Sequence, residues 1–64
     1  MIKINGEMLD VDEISLVEYL ENNGYHSKKI AVERNETIVP KADYESCILH
    51  SGDVVEIVTL VGGG

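Results

Sequence analysis

Cysteine is nearly absent from the sequence: Cys47 stands alone, which excludes an intramolecular disulfide and gives no sign of an oxidising compartment. His50 lies three residues on and no other Cys or His is close, so Cys47 reads as a structural or incidental thiol and no metal site is expected. Basic residues are also scarce, five Lys and Arg against twelve Asp and Glu, for a formal charge of −7. Such a chain repels phosphate backbones and anionic membrane surfaces, so nucleic acid is not an expected partner. Its natural complement is a basic face on another protein. No apolar run is long enough to span a bilayer and no signal peptide begins at Met1, so a cytoplasmic protein without a membrane partner is expected. Catalytic constellations are missing as well. His26 and His50 are isolated, and the sequence offers no Ser/His/Asp set or paired carboxylates for acid–base work.

What is there suffices for one small core. Sixty-four residues leave no room for a second lobe around a substrate cleft, and a chain of this size buries only ~60% of its unfolded surface. Apolar residues at 44% and charged residues at 27% are the balance of a folded chain rather than a disordered one. One domain over residues 1–61, a monomer by itself, and a glycine tail over 62–64 are expected, and a self-sufficient enzyme is not.

Local signals order the elements. Ile2 and Ile4 alternate with Lys3 and Asn5 as in a half-buried strand. Asn5-Gly6 is a strong signal for a tight hairpin turn, because both central positions of that turn need positive φ. Glu7 to Val11 is the expected return strand. Ser15 and Glu18 have capping-box spacing, with Ile14 placed to staple onto Tyr19. Leu16, Val17 and Leu20 then share one helical face, and Gly24 is placed to end the helix. Ile30 to Arg34 alternates again, Asn35-Glu36 turns the chain into Thr37-Ile38-Val39, and Pro40 stops that strand. Lys41 to Cys47 is compatible with one helical turn. Ser51-Gly52-Asp53 is a turn, and Val54 to Val61 is the longest β-branched run.

Within that last strand, alternation assigns Val55 and Ile57 to one face, and Thr59 too if it runs that far. Val54, Glu56, Val58 and Leu60 fall on the other. A face carrying Glu56 is a poor candidate for the helix-packed core. If Val58 and Leu60 form an exposed patch with Glu56 beside them, that patch marks a docking surface.

The chain then reads Val61-Gly62-Gly63-Gly64. Glycine lacks a Cβ, so a glycine run can stay extended in a narrow channel, and a terminal Gly carries an unhindered carboxylate. Adenylation activates such a group toward sulfur or nitrogen nucleophiles. The flexible thread and its carboxylate are therefore the candidate reactive part, with Gly62 as its first residue.

The stretch Ser51-Gly52-Asp53-Val54-Val55-Glu56-Ile57-Val58-Thr59-Leu60-Val61-Gly62-Gly63-Gly64 resembles the C-terminal signature of the ThiS family of sulfur carriers. Ile30-Ala31-Val32-Glu33-Arg34-Asn35, followed by Ile38-Val39-Pro40, is similar to that family's middle hairpin, and the resemblance spans essentially the whole chain. It implies an α+β, ubiquitin-like β-grasp fold: a mixed sheet of four to five strands on one main helix, with the first and last strands parallel at its centre. It also implies a role as a protein co-substrate with no bound cofactor. A ThiF-like enzyme would adenylate Gly64 with ATP, sulfur from a donor such as a cysteine desulfurase would give a thiocarboxylate, and a ThiG-like thiazole synthase would consume it in thiamine biosynthesis. Gly63 and Gly64 carry over as the reactive residues, whereas Gly62 is a spacer that many relatives lack. The rival readings are a MoaD-like small subunit of molybdopterin synthase and a non-catalytic ubiquitin-like binding module.

Overall fold

The computed structural model describes residues 1–60, so Val61 and the expected tail 62–64 lie outside the described residues. Strand β1 (Ile2–Ile4) buries both isoleucines, as its alternation requires. Asn5 and Gly6 take φ of 50° and 83°, the positive values that the tight turn demands, and lead into β2 (Glu7–Leu9). That strand is shorter than the Glu7–Val11 expected. The chain leaves it for β3 (Glu13–Ser15), an element the sequence pattern did not suggest.

Helix α1 (Leu16–Asn22) starts where the cap placed it: the Ser15 hydroxyl accepts from the Glu18 N–H at 3.4 Å. Among the described residues no bond returns from the Glu18 carboxylate, so the capping box is one-sided. At the other end Gly24, at φ 75°, closes a Schellman turn. Its N–H donates to the Glu21 carbonyl at 3.3 Å, and the Tyr25 N–H donates to the Leu20 carbonyl at 2.9 Å. Seven residues make a helix too short to hold itself. Burial of Leu16 and Leu20 against the sheet supplies the rest, ~1.5–3 kcal/mol for each such side chain.

Strand β4 (Ile30–Arg34) points Ile30 and Val32 inward. Asn35 and Glu36, at φ 52° and 70°, turn it into β5 (Thr37–Ile38), one residue shorter than expected. After Pro40 the segment Lys41–Ser46 is a 3₁₀ helix that buries Tyr44. Strand β6 (Ile48–His50) follows, also unforeseen, and pairs antiparallel with β3 as a separate ribbon. Strand β7 (Val54–Thr59) ends two residues before the Val61 expected.

The main sheet has the order β2-β1-β7-β4-β5, with β1 and β7 parallel at its centre and the other pairs antiparallel. This is the β-grasp: a mixed five-stranded sheet laid over α1. One face of the sheet contributes Ile2, Ile4, Ile30, Val32, Val55 and Ile57 to the core. Leu16 and Leu20 from the helix, with Tyr44, Cys47 and Leu49 from the second half of the chain, complete it.

Candidate functional site

Among the described residues the opposite face of the main sheet has no helix on it. Residues directly opposite on neighbouring strands share a face, so the pairing assigns its occupants. Val58 faces Ala31, Glu56 faces Glu33, Val54 faces Lys3, Lys3 faces Met8, and Glu33 faces Ile38. Alternation along β7 thus sends Glu56 and Val58 outward, and both are exposed, Val58 by 51%. Leu60 follows the strand and is 46% exposed, while Thr59, on the Val55 side, is exposed rather than core. Val54, Met8 and Ile38 are also large apolar residues open to solvent. The face is therefore mainly aliphatic, with the Glu33 and Glu56 carboxylates and the Lys3 ammonium set into it.

Glu33 and Ile38 belong to this face but were not among the residues singled out from sequence. The alternation Ile30–Arg34 already turned Glu33 away from the core. What it lacked was the register that puts Glu33 opposite Glu56. Glu33, Glu56, Glu36, Asn35 and Val54 line one shallow depression of about 300 Å³.

Two sets of bonds hold β7 in place beneath this surface. Where β1 stops pairing, the Asn5 side chain takes over: its oxygen accepts from the Ile57 N–H at 2.7 Å and its amide donates to the Ile57 carbonyl at 3.2 Å. At the start of β7, Asp53 Oδ2 accepts from Arg34 Nε at 2.9 Å and lies 2.9 Å from Nη2, and it also accepts from the His50 N–H at 2.9 Å. Asn35 donates to Asp53 Oδ1 at 3.0 Å and accepts from the Val54 N–H at 2.9 Å. Burial works to raise the Asp53 pKa, but the His50 N–H, the Asn35 amide and the Arg34 guanidinium outweigh it, and the carboxyl is held below its ordinary value. At the far end the Leu60 N–H donates to the Lys29 carbonyl at 2.8 Å, which sets the place from which residues 61–64 continue.

Gly62, Gly63 and Gly64, the expected reactive thread, lie outside the described residues. Cys47 is a buried core residue whose Sγ is 3.8 Å from Arg34 Nη1, in keeping with a structural thiol. Among the described residues no group of three His, Cys, Asp or Glu is arranged to hold a metal, and no helix is long and apolar enough to cross a membrane. The described domain thus offers a mainly aliphatic open face, with the Leu60 backbone tied to Lys29 beyond the end of β7.

Comparison with known proteins supplies the chemistry. The family model described as "ThiS family" matches residues 2–64, the glycines included. The chain is similar to the sulfur carrier protein ThiS of Thermus thermophilus, 38% identical over 64 residues that cover all of both chains. It is also 45% identical over 62 residues to a thiazole synthase of Paramagnetospirillum magneticum, 95% of this chain but 19% of that enzyme. Among solved structures it is similar to the thiamine biosynthesis protein ThiS of Geobacter metallireducens, with TM-score 0.77 and 22% identity, covering 98% of this chain and 97% of that one. At that identity the likeness establishes the fold.

Proposed function

The chain belongs to the ThiS family, and from that premise we propose that it is a sulfur carrier of thiamine biosynthesis whose reacting group is the Gly64 carboxylate. One observation carries the reading: the alignment with a sulfur carrier runs over the full length of both chains, glycine tail included. Names of this kind favour it over the MoaD-like and binding-module readings.

A carboxylate oxygen of Gly64 attacks the α-phosphorus of ATP on a ThiF-like enzyme, pyrophosphate leaves, and an acyl-adenylate forms. A persulfide sulfur, supplied by a donor such as a cysteine desulfurase, then attacks the carbonyl carbon, AMP leaves, and an acyl disulfide to the donor cysteine forms. A thiol attacks the donor-side sulfur of that S–S bond, leaving the terminus as a thiocarboxylate and the thiol in a disulfide with the donor cysteine. A ThiG-like thiazole synthase consumes the thiocarboxylate, which suits the occurrence of this domain's sequence within thiazole synthases. The chain itself is a co-substrate rather than an enzyme. It binds no cofactor, works in the cytoplasm as a monomer, and leaves ATP to the activating enzyme.

Gly62 and Gly63 supply the side-chain-free thread that carries Gly64 into the enzyme's active site. A few glycines offer little contact area, so the domain must be held too, and the outward face with Glu56, Val58 and Leu60 is the docking surface. The test is mass spectrometry after incubation with the adenylating enzyme, ATP and a sulfur donor. The expected product has one oxygen exchanged for sulfur at Gly64; a terminus that stays a carboxylate, with no pyrophosphate exchange, overturns the reading.

A further inference from the structure

Two of the four asparagines, Asn5 and Asn23, are followed by glycine. That pairing is chemically labile: the nitrogen of the following residue can attack the side-chain carbonyl carbon, and glycine has no Cβ to hinder the approach. Asn22 and Asn35 are followed by Asn23 and Glu36, whose side chains stand in that path. Both Asn-Gly pairs are open to solvent, and both lie in turns with the glycine at positive φ, 83° for Gly6 and 75° for Gly24. Access to water therefore does not separate them, but their hydrogen bonds do. Asn5 is held at three points by the central strand β7: its N–H donates to the Val55 carbonyl at 2.9 Å, and its side chain bonds both backbone groups of Ile57. That side chain reaches the Gly6 nitrogen only after both Ile57 bonds break and β1 parts from β7 at the centre of the sheet. Asn23 caps the end of α1, and among the described residues its side chain makes one bond, to the Tyr19 carbonyl at 2.9 Å. The Gly24 N–H bond to Glu21, at 3.3 Å, belongs to the same terminal turn, which frays without unfolding the domain.

We propose that Asn5 is a site of spontaneous deamidation gated by opening of the sheet and that the reaction there retires the molecule, whereas Asn23 deamidates from the folded state at little cost to the fold. The first step is a ring closure. The Gly6 nitrogen bonds to Asn5 Cγ, the Cγ–Nδ2 bond breaks, and the Gly6 amide proton leaves with the side-chain nitrogen as ammonia. Water then opens the resulting succinimide. Addition at the Asn5 main-chain carbonyl breaks its bond to the Gly6 nitrogen and leaves an isoaspartyl linkage; addition at Cγ leaves aspartate. No oxidant or cofactor is required. Aspartate puts an acceptor where the amide donated to the Ile57 carbonyl, so two oxygens face each other across a 3.2 Å contact. Isoaspartate is worse, because it adds a carbon to the main chain inside the two-residue turn that joins Ile4 to Glu7. Either product loosens β1 from β7, and no reverse reaction restores the amide. At Asn23 the same change removes one exposed bond at a helix end.

The experiment is incubation of the full chain in mildly alkaline buffer, folded and in urea, followed by cleavage after glutamate and mass spectrometry. Glu7 and Glu21 place Asn5 and Asn23 in different peptides. In urea the two sites are expected to react at similar rates. In the folded protein Asn23 should stay within a few-fold of its rate in urea, and Asn5 should be slower by at least about thirtyfold, the factor that two hydrogen bonds supply. Val32→Ala, which weakens the buried core away from both sites, should accelerate Asn5 in step with the rise in the open population and leave Asn23 unchanged. If that variant does not fold, its Asn5 should react at the rate seen in urea. Asn5→Asp, which is the aspartyl product made directly, should have a lower urea midpoint than the parent, while Asn23→Asp stays close to it. The proposal is overturned if Asn5 reacts as fast in the folded protein as in urea, if Asn23 is protected as strongly as Asn5, if Val32→Ala leaves the Asn5 rate unchanged, or if Asn5→Asp is as stable as the parent.

Discussion

Asn5 holds Ile57 by both of that residue's backbone groups, accepting from its N–H at 2.7 Å and donating to its carbonyl at 3.2 Å. The side chain does this because the main chain cannot. At φ 50° Asn5 has already entered the hairpin turn, and β1 has ended one residue earlier. One residue thus turns the chain and prolongs the parallel pairing of β1 with β7. Asn5→Gly keeps the turn and removes both bonds, so it should destabilise the domain by ~1–2 kcal/mol. An unchanged urea midpoint would show that water replaces the asparagine at no cost.

Ser15→Ala removes the hydroxyl that caps α1. The bond is long and exposed, 3.4 Å, so the loss should fall near ~0.5–1 kcal/mol, the lower part of the range for caps. Thiocarboxylate formation by the folded variant should be unaffected, since the helix lies on the side of the sheet away from the docking face. A variant that melts like the parent would mean that packing of Leu16 and Leu20 alone positions the helix start.

Asp53 makes stability pH-dependent. Its carboxyl is held below the ordinary value in the folded protein, so the folded state binds its proton less readily than the unfolded chain. The resulting stabilisation is complete above the unfolded value of ~3.9 and is lost as pH falls through the lower folded value. Asp53→Asn should cost ~1–3 kcal/mol near neutrality, where it leaves Arg34 without its counter-charge. The gap between parent and variant should close on acidification. Urea midpoints of both proteins over about pH 6 to 2 give the comparison, and a gap constant with pH would exclude the Arg34–Asp53 pair as its source.

Elements with a local signature were legible in the sequence. The Asn5-Gly6 turn, the Ser15 cap, the Gly24 stop and the alternation of Ile30–Arg34 each depend on neighbours a few residues apart, and each was found in place. The β3–β6 ribbon was not legible. It joins three-residue strands that are far apart in the chain, too short for alternation to register, and one of them runs straight into the helix cap. Sheet order and register are likewise non-local, so the parallel centre of the sheet followed from family resemblance. For the same reason the outward face of β7 could be read from its own pattern, whereas the opposition of Glu33 and Glu56 needed the pairing of β4 with β7. The glycine run itself marked the Gly64 carboxylate as the candidate reactive group, and the reaction sequence assigned to it followed from resemblance.

Deletion of Gly64, or Gly64→Val, should abolish pyrophosphate exchange while leaving the melt unchanged. The buried core of the described residues runs from Ile2 to Ile57. A β-branched side chain beside the carboxylate crowds the attack on ATP and widens the thread. Undiminished exchange by either variant would remove the Gly64 carboxylate from the mechanism.

Leu60→Asp tests whether the partner grips the domain or only its tail. Leu60 is 46% exposed and absent from the core, and its tie to the fold is a backbone bond, N–H to the Lys29 carbonyl, that the substitution leaves in place. Stability should therefore change by no more than ~0.5 kcal/mol, as for surface positions generally. On the proposed docking face the same side chain lies near Val58, where an added carboxylate would be desolvated without a partner. Binding to the adenylating enzyme should weaken by at least about tenfold, well beyond the change in stability. Calorimetry beside a urea melt of the same variant separates the two quantities. A variant that unfolds places Leu60 in the core, and one that binds like the parent leaves the glycine thread alone to hold the complex; either result refutes the assignment of this face.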